Sequence, residues 1–142
     1  MERQFQHLIN LLDEVLAFLQ SCPCDHDSPY AGDRIWSREK DLIACLAWGQ
    51  YVLERNADGD IVGFMSYWKI DPADLDKIKR DEECDKIHGT QGYVVDVGCN
   101  GMSFRKLCRM LAHKGAPFNG VSSFHFKSLT HRTYGGGTLA KG

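Results

Sequence analysis

The run Gln50–Ile70, QYVLERNADGDIVGFMSYWKI, constrains the fold more than any other stretch of this chain. Two segments rich in Val, Ile, Tyr, Phe and Trp flank NADGD. Gly59 follows Asp58 where a tight connection needs a residue at positive φ. The sequence therefore predicts a β-hairpin joining strands over 50–55 and 61–70. Two strands alone are marginal in water, so the rest of the chain must supply a third strand or covering helices.

Both are legible. Residues 3–20 repeat Phe5, Leu8, Ile9, Leu12, Val15, Leu16 and Leu19 at helical spacing, and Pro23 stops the pattern. Ser37 is placed to cap a second helix, SREKDLIACLAWG, with Glu39 in its first turn and Gly49 as its stop. Pro72 opens a short charged helix. QGYVVDVG reads as a strand with Asp96 inside an apolar run. Gly98–Gly101 reads as a loop leading into MSFRKLCRMLAHKG, a helix with Phe104, Leu107, Cys108 and Leu111 on one face and Gly115 as its stop. GVSSFHFKSL is a further strand. The last β-α-β unit predicts two parallel strands with a right-handed crossover. The expected class is α/β in the α+β sense: a central mixed sheet flanked by helices, in a single domain over residues 1–142.

Composition removes several function classes. A formal net charge of −2 without a long Lys/Arg run argues against nucleic acid. No apolar stretch reaches the roughly 18 residues a membrane helix needs. The start, MERQFQHLIN, lacks the basic region and cleavage site of a signal peptide. A cytoplasmic protein is expected, and its six cysteines are then mostly reduced. Two of them stand in SCPCDHDSPY, residues 21–30, beside His26, Asp25 and Asp27.

The element order resembles the acyltransferase fold of the GCN5-related N-acetyltransferases. It resembles more closely the toxin-activating lysine acyltransferases built on that fold, which move a fatty acyl group from acyl carrier protein to lysines of a haemolysin-type protoxin. The resemblance is carried, in order, by CPCDH, QYVLER, FMSYWKI, VVDVGCNG, FRKLCRML and YGGG, and it covers most of the chain. The histidine segment has one extra residue between Pro23 and His26, and Cys22 stands where the family has serine. The Trp-x-Ala-Pro that follows the family's aspartate is absent after Asp96. The loop GCNGMSFRK also departs from the spaced-glycine pattern with which the broader family binds coenzyme A.

The resemblance implies His26 as general base and Asp96 as the carboxylate orienting it. An amine acceptor needs a base for its proton and donors for the developing oxyanion. The loop residues Gly98, Cys99, Asn100 and Gly101 are the expected oxyanion and acyl-donor loop. The basic face Arg105, Lys106 and Arg109 is the expected contact for acyl carrier protein; an ordinary solvated face is the alternative. No tightly bound cofactor is expected, acyl carrier protein or acyl-CoA being the donor and a protein lysine the acceptor. Family members often pair as dimers, so the resemblance leaves a homodimer open. Two alternatives stand beside this reading: a small acetyl-CoA-dependent N-acetyltransferase, and a non-catalytic binding protein on the same fold.

The second alternative includes a zinc-stabilised form, in which Cys22 and Cys24 join the C-x₃-H pair Cys84 and His88; its rival is reduced, unligated thiols, with no metal. Cys99 at a helix start is a further candidate nucleophile, its pKa expected to be lowered there. His7 is expected on the solvent side of its helix, His113 in a last helical turn and His125 on a sheet face, while His131 has no assigned role. Tyr67 and Trp68 are read first as core, or as lining for an acyl channel.

Overall fold

The computed structural model describes residues 2–22, 35–113 and 124–126. Helices α1 (Glu2–Ser21) and α2 (Ile35–Trp48) precede the hairpin strands β1 (Tyr51–Arg55) and β2 (Ile61–Ile70). A 3-10 turn (Pro72–Asp74) runs into the short helix α3 (Leu75–Lys79). Strand β3 (Gln91–Cys99), helix α4 (Phe104–His113) and strand β4 (Phe124–Phe126) follow. The sheet order is β1-β2-β3-β4, antiparallel through the first three strands and parallel between β3 and β4. The expected mixed sheet with helices is present.

Local chemistry fixes the boundaries. The α2 helix stops at Gly49 (φ 71°), with Gly49 N–H donating to the Leu46 carbonyl and Gln50 N–H to that of Cys45, a Schellman ending. In the hairpin, Asn56 Oδ1 accepts from the N–H groups of Asp58 and Asp60, both at 3.0 Å, and Gly59 supplies the positive φ (87°). Asp71 caps the 3-10 turn by accepting from Ala73 N–H.

Two boundaries differ from the sequence reading. The α2 helix begins at Ile35, so Ser37 lies inside its first turn and not at its cap; serine suits any first-turn position where backbone N–H groups lack helical partners. Strand β3 runs on through Gly98 and Cys99, because β2 is long enough to pair with them at Phe64 and Gly63. Pairing across the sheet overrides the loop preference of glycine. The expected stop at Gly115, the tail and His131 lie outside the described residues.

The sheet has a core on each face. On one, α1 and α2 pack Leu12, Val15, Phe18, Leu19, Leu42 and Leu46 against Ile61 and Phe64. On the other, Leu107 of α4 packs against Val52, Met65, Tyr67 and Val94. Alternation along β2 therefore puts Phe64 and Ser66 toward α1 and α2, and Met65 and Tyr67 toward α4. The β3 strand bulges at Val95: Ser66 opposes Asp96, while the next residue, Tyr67, opposes Val94.

Candidate functional site

Asp96 is the chemically anomalous residue of this sheet. Cross-strand register places Tyr51, Ser66 and Asp96 in one row on the face covered by α1 and α2. Asp96 is 2% exposed. Ser66 Oγ donates to its Oδ2 at 2.8 Å. Its other oxygen, Oδ1, has no hydrogen-bond partner among the described residues. A buried carboxylate with one neutral donor is poorly stabilised. Burial accordingly pushes Asp96 up to about 8, and the group is mainly protonated at neutral pH.

The same face holds Cys45 of α2. Its thiol donates to the Tyr67 carbonyl at 3.6 Å and lies within hydrogen-bonding reach of Ser66. Burial pushes that thiol up to about 12, so it stays protonated and unreactive. Cys45, Ser66 and Asp96 thus form a buried polar row inside an otherwise apolar layer.

The last turn of α1 lies on this row. A Cβ at Gly98, two residues from Asp96 on the same face, would come 2.8 Å from Leu19 Cδ2 and 2.9 Å from Cys22 Sγ. The helix end at Cys22 therefore touches the strand next to Asp96, and from Cys22 the chain enters the segment that contains His26. His26 itself, with Pro23, Cys24, Asp25 and Asp27, lies outside the described residues.

No protein-family model matches the chain, and no curated protein matches it at a significant level. What the site can do must be argued from its geometry.

The structure corrects two expectations for residues 98–101. Gly98 and Cys99 belong to the ladder and not to a loop, and Gly98 is covered by α1. Asn100 N–H already donates to the Val62 carbonyl at 2.9 Å, so it is not available to an oxyanion as placed. Strand alternation then turns the Gly98 N–H toward β2 as well, and the Cys99 N–H toward the opposite edge. Gly101, at φ 104°, turns the chain beside Val62 into α4. The second correction concerns the Cys99 thiol: half-buried beside the α4 core, it is pushed up by burial and not lowered.

Arg105, Lys106 and Arg109 are exposed on α4, whose N-terminus is capped by Ser103 Oγ accepting from Lys106 N–H. Their helix covers the face opposite Asp96, so the structure does not bring the basic patch and the carboxyl group together. Of the cysteine–histidine set, Cys22 is buried in the α1 core. Cys84 and His88 lie beyond α3, where His88 Nδ1 meets Asp85 Oδ2 at 3.0 Å, and Cys24 is outside the described residues. Among the described residues no three His, Cys, Asp or Glu side chains converge to hold a metal. No described helix is long and apolar enough to cross a membrane. His7 is exposed on α1, as expected.

Sequence reasoning found Asp96, because a charge in an apolar strand run is conspicuous. It missed Ser66 and Cys45, whose roles depend on strand register. It also missed a cavity that reaches Val95, where Trp68 stacks on Tyr93 with ring centroids 5.6 Å apart.

Proposed function

We propose that this chain is an acyltransferase on a GCN5-related acyltransferase-like fold. It moves an acyl group from acyl carrier protein, or from acyl-CoA, to a lysine or other amine. His26 is the general base and Asp96 the carboxyl group that orients it. Three things support the reading: the ordered resemblance along the sequence, the antiparallel hairpin that feeds β3 and then a parallel β4, and the state of Asp96. The last carries most weight. A fully buried carboxyl group, with one oxygen unpartnered among the described residues, sits beside the helix end from which the His26 segment departs. His26 stands four positions after Cys22 in the sequence, a reach of about 14 Å at full extension. An imidazole arriving at Oδ1 would supply the missing partner.

In the reaction the acceptor nitrogen attacks the thioester carbon, forming the C–N bond. The His26 imidazole takes the amine proton, the C–S bond breaks, and the thiol leaves with a proton. Asp96 holds the ring and stabilises the imidazolium; that cation in turn draws Asp96 toward its ionised form. The N–H groups of Cys99, at the end of β3, and of Gly101 are the oxyanion donors.

A second reading has its own support: a carboxyl group neutral at pH 7 and bonded to Ser66 also suits a structural role in a non-catalytic binding protein. Intact-mass spectrometry separates these readings. The protein is incubated with acyl carrier protein bearing a medium-to-long acyl chain, or with acetyl-CoA, as wild type, His26→Ala and Asp96→Asn. Acyl transfer or self-acylation from the carrier, lost in both variants, is the expected result. Full activity in His26→Ala would end the proposed mechanism. Turnover of acetyl-CoA alone would favour the small acetyltransferase, and inactivity with both donors the binding protein.

A further inference from the structure

A cavity that reaches the Val95 bulge carries a separate inference. It encloses about 480 Å³ and is lined by residues of β2, β3, α2 and the α3 turn, within the size range of small-ligand sites. Its aromatic wall is the stacked pair Trp68 and Tyr93, with an interplanar angle of 16°. A cation already rests on that wall: Lys86 Nζ lies 4.4 Å from the centre of the Trp68 ring. Three carboxylates, Asp41, Asp81 and Glu82, line the cavity against Lys79 and Lys86. Glu82 is paired with Arg80, which donates to both of its carboxylate oxygens, at 2.9 and 3.3 Å.

The Lys86 side chain is not needed to anchor its own segment. Its carbonyl already accepts from Lys69 N–H at 2.9 Å and from Gln50 Nε2 at 3.1 Å. The main chain is fixed at this point while the side chain, on a flexible stem, can swing away. An aromatic face flanked by carboxylates attracts a positive alkylammonium group, through the ring quadrupole and through charge.

We propose that this cavity binds the alkylammonium end of a lysine side chain from a second molecule, and that Lys86 is an internal occupant which the incoming amine displaces. The binding claim stands on the cavity alone and does not require acyl transfer. If acyl transfer is the function, this cavity is where an acceptor lysine is held.

The test follows the Trp68 indole N–H signal by NMR, assigned through its loss in Trp68→Phe. The probes are Nα-acetyl-lysine methylamide, spermidine as a small amine not carried on a protein, and the neutral Nα,Nε-diacetyl-lysine methylamide. In the wild type, saturating lysine probe is expected to shift the Trp68 signal and to move the Lys86 ε-protons out of the ring current. In Lys86→Ala, checked for folding by circular dichroism, binding should tighten by about fivefold to tenfold, the size of one cation–π contact. The neutral probe should leave Trp68 unmoved. Spermidine binding better than the lysine probe would replace the protein lysine with a free polyamine and overturn the proposal as stated. Equal binding of the neutral probe, or no Trp68 response to either amine in wild type and in folded Lys86→Ala, would also overturn it. These measurements use no acyl donor, so their failure is distinct from failure of the acyltransferase reading.

Discussion

Replacing Asp96 with asparagine should make this protein more stable at neutral and alkaline pH. In the folded state burial holds the carboxyl group's pKa at about 8, against an ordinary value of 3.8. The folded protein therefore keeps a proton that the unfolded chain releases over that interval. Stability associated with Asp96 is fully present below about pH 4 and drains away as pH rises toward 8, then levels off. A shift of some four units corresponds to the order of 5 kcal/mol. Relaxation of a buried site and entry of water bring the expected difference nearer to about 3 kcal/mol. Asparagine keeps an acceptor for Ser66 Oγ and cannot ionise, so it removes the slope and leaves the shape.

The assay is urea unfolding of wild type and Asp96→Asn at steps from pH 4.5 to 8.5, read as the difference between the two proteins. Taking the difference cancels the histidines, which titrate in the same range. The two curves should nearly meet at the acid end and separate steadily toward pH 8, with the variant the more stable. A difference that does not change with pH would refute the reasoning. It would mean that Asp96 is already ionised in the folded protein and paired with a cation. The proposed His26 contact predicts such a partial flattening in the wild type, with the full slope returning in His26→Ala.

Two further substitutions test the geometry. Ser66→Ala removes the one hydrogen bond that Asp96 accepts from a side chain among the described residues. It should lower stability by about 1–3 kcal/mol in urea unfolding at pH 6, and no loss would place Ser66 elsewhere. Gly89→Ala would put a Cβ 1.9 Å from the Ile70 carbonyl carbon, and rigid backbone cannot yield as a side-chain tip can. A loss of about 2–4 kcal/mol, seen as a lowered thermal midpoint, is expected; an unchanged midpoint would contradict the close approach of these segments.

Most of the frame was legible because it is written in local periodicity. The apolar spacing from Phe5 to Leu19 gave α1, and NADGD with Gly59 gave the hairpin. The β-α-β order gave the parallel pairing of β4. What escaped depends on partners distant in sequence. The Val95 bulge and the Ser66–Asp96 pairing are register facts, and nothing near Asp96 in sequence announces Ser66. Gly98 looked like a loop residue because glycine favours loops. Its place in β3 instead reflects the close approach of Leu19 and Cys22, which leaves no room for a side chain. The cap of α4 at Ser103 and the aromatic wall at Trp68 both depend on structure, the second on the pairing of two strands.

The order of strands in the sheet also bears on how the protein is made. Each strand from β2 onward pairs with its predecessor in the chain, and β4 joins only after α4 has crossed the sheet. Only the β1–β2 hairpin closes at short range and forms quickly; the β2–β3 and β3–β4 pairings both join residues far apart in the chain, and β4 is made last. During synthesis the row holding Ser66 and Asp96 can therefore close beneath α1 and α2 before β4 has left the ribosome. The outer edge of β3 is then the last surface to be covered, and it is the edge most exposed to wrong partners while the chain is incomplete.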